Sequence, residues 1–205
     1  MSNLIFQNDN DKTYKDPLKF IDALDCSKHI VLYYENPKVG KKIQFRFIRN
    51  GLLKGETCIY TTHDDDIDLI EFEMINDRIN VEDYNNRGLL KIFKIPDIMK
   101  HPEGVLKGAE ESIEKMFSGL IPPFRIVVRM IDKVNTKEQI EANLTLEQVY
   151  HSKFHRFNGL VLCPYDVSHN PINTHGKWVE TILDNHHSAI FVTDRTGEGI
   201  AFDMV

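Results

Sequence analysis

Short, unbroken apolar runs alternate along this chain with longer stretches in which apolar residues return every three or four positions. The first run, His29-Ile30-Val31-Leu32-Tyr33-Tyr34, has no polar alternation, the pattern of a strand buried on both faces. Residues 41–54 place Ile43, Phe47, Ile48 and Leu52 on one side of a helix, and Gly55 stands where a helix C-terminal glycine belongs. Strand two is read at 57–62. Asp64-Asp65-Asp66 then supplies negative charge for the start of a helix with Ile67, Ile70, Met74 and Ile75 inward. The triple aspartate is read as a cap and not as a metal site.

The alternation continues. Residues 89–95 read as strand three, a helix opening at Pro102 carries Val105, Leu106, Ala109, Ile113, Met116 and Phe117 inward, and 125–131 read as strand four. A longer helix follows over 136–154, strand five over 159–163, and a short helix over 177–185 with the sole tryptophan, Trp178. Strands at 188–193 and 199–203, flanking the turn 194–199, close the chain as an antiparallel hairpin. A short helical stretch at 17–24 precedes strand one, behind a polar leader at 1–16. The expectation is one α/β domain over 17–205. Its doubly wound, mainly parallel sheet has helices on both faces, and its ligands bind at the carboxyl ends of the strands.

Composition narrows the function classes. Of 205 residues, 41% are hydrophobic and 27% charged, which fits a folded globular chain, and no apolar run approaches the roughly 20 residues needed to cross a bilayer. The first residues lack the charged start and apolar core of a secretory signal, so a cytoplasmic location is expected. The formal net charge is −6 and basic residues are interspersed with acids, so no nucleic-acid partner is expected. Cys26, Cys58 and Cys163 are too dispersed for a zinc ribbon or a disulfide framework, and read as reduced thiols.

Two turns carry candidate chemistry. Residues 35–42, Glu35-Asn36-Pro37-Lys38-Val39-Gly40-Lys41-Lys42, stand where a phosphate loop would follow the first strand, and Gly40-Lys41 has the glycine–lysine spacing. The leading glycine is replaced by Glu35 and the magnesium-binding hydroxyl by Lys42, so the segment is either a degenerate phosphate loop or an accident of a lysine-rich helix start, and ATP hydrolysis is disfavoured. The second is Leu162-Cys163-Pro164-Tyr165-Asp166, placed at the exit of strand five, where a thiol, a phenol and a carboxylate meet. Cys163 with His29, His187 or His169 has the donor chemistry for a soft metal, although no spacing fixes the set. A Cys–His nucleophilic pair finds no local oxyanion hole.

The ordered motifs 29–35, 51–60 and 162–166 resemble the MEDS domain, the sensory domain named for methanogens, methylotrophs and the DcmR regulator. The resemblance spans roughly 29–192. It implies a RecA/KaiC-like fold without the catalytic loop, and a role in sensing small hydrocarbon derivatives in prokaryotic signalling. By position it carries the family's site to His29, Tyr34, Glu35, Cys163, Tyr165 and Asp166, with a further histidine at His186 or His187. Arg129 stands where many relatives have an acid: buried, it calls for Glu35, Asp166 or an anionic ligand as partner, and the alternative is that it points outward. The expected function is therefore a non-enzymatic sensor for a small molecule, acting on a signalling protein in trans or by self-association. No cofactor is demanded, and a metal is open. The alternatives are a nucleotide-binding RecA relative, with Asp132 or Asp166 near magnesium, and a metal-binding protein using Cys163 and histidines.

Overall fold

The computed structural model describes residues 13–25, 27–168, 176–192 and 198–204. The leader as far as residue 12, Cys26, His169 and most of the closing hairpin turn lie outside the described residues. Seven strands form one sheet: β1 Lys28–Tyr34, β2 Thr57–Thr62, β3 Leu90–Lys94, β4 Phe124–Val127, β5 Gly159–Asp166, β6 Ser188–Val192 and β7 Gly199–Asp203. Their spatial order is β3-β2-β4-β5-β1-β6-β7, parallel throughout except for the antiparallel β6–β7 pair. The helices are α1 Pro17–Asp22, α2 Pro37–Lys54, α3 Ile67–Asn76, α4 Val81–Asn86, α5 Val105–Phe117, α6 Lys137–Lys153 and α7 Gly176–Asp184. This is the doubly wound sheet expected from the apolar pattern.

The period of two along β1 divides the core. Ile30, Leu32 and Tyr34 join one apolar layer with Ile43, Phe47 and Leu52 of α2, while Val31 and Tyr33 join another with Trp178, Val179 and Ile182 of α7. Each face is therefore shielded from water. Across the sheet, Val31 lies opposite Cys163 and Tyr34 opposite Asp166. The last part of the leader also joins the fold, since Tyr14 exchanges backbone hydrogen bonds with Ala201 of β7.

Several boundaries differ from the sequence expectation, each for a local reason. Helix α2 begins at Pro37, four residues early, because the Asn36 side chain accepts from the Lys38 N–H at 3.0 Å and proline is preorganised for the first helical position. Gly40 and Lys41 thus lie inside a helix. A Cβ on Gly40 would come within 2.6 Å of the Tyr34 ring, so the glycine serves close packing of helix on strand. Only Glu35 and Asn36 connect β1 to α2, and no loop surrounds a phosphate there. Gly55 ends α2 in the left-handed region at φ 76°, as anticipated.

Helix α5 starts at Val105 instead of Pro102, α4 was not anticipated, and Ile75 at the end of α3 is exposed. Strand β4 ends at Val127, before Arg129, whereas β5 runs three residues further than expected. The buried arginine of β4 is Arg125. It is fully buried and held by Glu56 at 2.6 and 3.2 Å, by the Phe47 carbonyl at 3.3 Å and by the face of the Phe47 ring.

Candidate functional site

The extension of β5 relocates the chemistry. Cys163 sits within the strand and not at its exit, and its side chain points to the α6 side of the sheet, diagonal to His29 at the beginning of β1. Helix α6 crosses this face. It opens with a reciprocal capping box between Thr136 and Gln139, and its inner side carries Asn143, Leu146 and Glu147. The connection from α7 to β6 adds His186 from the far side.

Four donor atoms converge there, one each from His29, Glu147, Cys163 and His186, all within 4.8 Å of one another. The His29 Nε2 atom is 3.2 Å from Cys163 Sγ and 3.6 Å from Glu147 Oε2, and His186 Nε2 is 3.7 Å from the same carboxylate oxygen. The two imidazole rings stack with centroids 3.8 Å apart. Each ring directs Nδ1 at a backbone carbonyl, His29 at Asn185 (2.9 Å) and His186 at Ile182 (2.6 Å). A carbonyl only accepts, so both Nδ1 atoms carry the proton and both Nε2 atoms present a lone pair to the cluster.

Burial sets the protonation. It lowers His29 and His186 to about 3, helped at His29 by the neighbouring His186 and opposed by Glu147. It also pushes the Cys163 thiol well up, so in this state Cys163 is a poor nucleophile. Tyr165 is raised in the same way and stays a phenol. Its hydroxyl donates to Glu147 Oε1 at 2.5 Å and accepts from Asn143 Nδ2 at 2.9 Å, while Asn143 Oδ1 accepts from Trp178 Nε1 at 3.0 Å. These three bonds fix one oxygen of Glu147 and leave the other facing the histidines.

Three members of the cluster, His29, Glu147 and Cys163, form the floor of a cavity of about 710 Å³ between α5, α6 and the sheet. Its walls include Ile113, Phe117, Val128, Leu146, Val149 and Phe154, and Glu103, Lys107, Glu110 and Lys153 stand among its lining. The size and the apolar lining with a few converging polar groups are those of a small-molecule site.

The sequence-predicted residues divide into two groups. His29 and Cys163 come together at the cavity floor, and Tyr165 stands behind them, bonded to Glu147. Tyr34 belongs to the opposite face, packed on Gly40, and Glu35 is exposed. Asp166 accepts from the backbone N–H and hydroxyl of Ser168, and Arg129 pairs with Asp132 at 3.2 Å instead of Glu35 or Asp166. Of the two candidate histidines, His186 reaches the cluster. His187 Nδ1 accepts from the His29 backbone N–H at 2.9 Å, which pins the start of β1.

Sequence reasoning missed Asn143 and Glu147. Their signal was present: polar residues at i and i+4 on the stripe of α6 that also holds Leu146, a face a helix reserves for the core.

The α/β fold is shared with a KaiC-like protein. The chain is similar to the crystal structure of the KaiC-like protein PH0186 from the hyperthermophilic archaeon Pyrococcus horikoshii OT3, with a TM-score of 0.54 and 14% identity over 80% of this chain and 71% of that one. More specifically, residues 28–177 match the family described as the MEthanogen/methylotroph, DcmR Sensory domain, and the chain belongs to this MEDS family. No curated protein matches the sequence. Among the described residues, no helix is long and apolar enough to cross a membrane.

Proposed function

We propose that this MEDS domain is a non-enzymatic receptor that takes a small, largely apolar molecule into the cavity between α5 and α6. The observation that carries this reading is the cavity itself, about 710 Å³ with apolar walls and a floor of His29, Glu147 and Cys163. Apolar walls supply affinity through water release, and a few fixed polar groups supply orientation. Occupancy would press α5 and α6 apart or draw them together. That movement is the signal offered to a protein in trans or to a second copy of the domain.

Against nucleotide chemistry stands the two-residue connection between β1 and α2, which gives no run of backbone N–H groups to wrap a triphosphate. Saturation-transfer NMR and thermal shift with toluene, cyclohexanol and ethanethiol test the proposal, with Mg-ATP alongside. Binding of at least one apolar probe is expected, abolished by Val149→Trp and by Ile113→Trp, either of which fills the cavity. Indifference of all three probes, or magnesium-dependent ATP binding, refutes it.

A further inference from the structure

Two of the four cluster donors are left facing each other without a proton between them. His186 Nε2 is buried, carries a lone pair, and has no hydrogen-bond partner among the described residues. The atom nearest to it in charge is Glu147 Oε2, itself an acceptor, at 3.7 Å. A hydrogen bond from the Cys163 thiol satisfies His29, but nothing comparable serves His186. A buried acceptor left unmet has a cost in stability. A cation between the four groups removes that cost.

We infer that His29 Nε2, His186 Nε2, Cys163 Sγ and Glu147 Oε2 bind one divalent transition-metal ion of the zinc class. Tetrahedral zinc with bonds of about 2.0–2.3 Å needs donors about 3.3–3.8 Å apart. Three of the six separations, 3.2, 3.6 and 3.7 Å, are close to that size, and all six lie within 4.8 Å. Two neutral imidazoles, one thiolate and one carboxylate suit zinc over the hard cations magnesium and calcium, which take oxygen. On binding, Cys163 loses its thiol proton to solvent, and the two negative ligands cancel the charge of the ion. The completed site is neutral, as a buried site should be.

The surrounding shell has the form that metal ligands require. Each histidine is oriented by a carbonyl on its other nitrogen, and the carboxylate is oriented by Tyr165, itself held by Asn143 and Trp178. The ion would lie beside the cavity floor, because three of its ligands, His29, Glu147 and Cys163, also line the cavity. The inference stands independently of guest binding, since the four ligands come from the protein alone.

Chelator-stripped protein titrated with zinc and with cobalt tests the site. About one equivalent of tightly held zinc is expected, and cobalt should give a tetrahedral visible spectrum with a thiolate-to-metal charge-transfer band. Cys163→Ser should abolish that band. His186→Gln and the near-isosteric Glu147→Gln should each weaken binding by more than the roughly 10–100-fold typical of losing an outer-shell partner. His155→Ala, at an exposed histidine, should change nothing. Circular dichroism of each metal-free variant separates loss of a ligand from loss of the fold. No uptake by folded wild-type protein at micromolar metal, or wild-type affinity in folded Cys163→Ser and His186→Gln, overturns the inference.

Discussion

Replacing Tyr165 with phenylalanine removes one oxygen from a chain of three buried hydrogen bonds, and its cost follows from the bonds lost. The hydroxyl donates to the Glu147 carboxylate at 2.5 Å and accepts from the Asn143 amide at 2.9 Å, with Tyr165 2% exposed. A hydrogen bond to a charged group is worth about 1.5–3 kcal/mol, and the amide left without an acceptor costs about 1–3 kcal/mol. Because the two share one atom they do not simply add, and a loss of roughly 3–5 kcal/mol is expected in metal-free protein. Against a total stability of about 5–15 kcal/mol this is large, and Tm should fall by roughly 6–20 °C. Urea unfolding followed by fluorescence measures it, with Trp178 at the end of the same chain as the only tryptophan. Asn143→Leu in the Tyr165→Phe background removes the orphaned amide, so the two changes should be coupled by roughly 1–3 kcal/mol. A Tyr165→Phe cost below about 1 kcal/mol, or additivity of the two changes, would falsify the relay.

Three further outcomes follow from the geometry. Glu56→Gln leaves Arg125 as a fully buried, half-paired cation and should cost about 3–5 kcal/mol in urea unfolding, most of it recovered by adding Arg125→Met. Metal-free protein should lose stability as pH falls from about 6.5 toward about 3. In that window the unfolded histidines take up protons that burial denies to His29 and His186, whose folded values are about 3. Stability that stays level between pH 7 and pH 5 contradicts this assignment. Gly40→Ala should cost about 1–3 kcal/mol by overpacking the Tyr34 ring, whereas a glycine in an open loop would tolerate the change.

The fold was largely legible because buried parallel strands write themselves as apolar runs, and β1 and the first half of β5 carry that signature clearly. The site was legible only in part. His29 and Cys163 stand out as polar atoms inside apolar strands, and the resemblance to the family pointed to both. Their meeting depends on β1 and β5 being neighbours, a fact of topology that no local pattern states. The choice between His186 and His187 turns on the direction of the chain leaving α7. The phosphate-loop reading of 35–42 gave too little weight to Asn36-Pro37 as a helix start, and Glu35 became an exposed turn residue in consequence.

In the proposed function the guest is held in the cavity between α5 and α6. Intermolecular nuclear Overhauser effects between toluene and methyl-labelled protein test this directly. Contacts to the methyl groups of Ile113, Val128, Leu146 and Val149 are predicted. Contacts confined to the opposite face, at Val39 or Ile43 beside the β1–α2 turn, would contradict it.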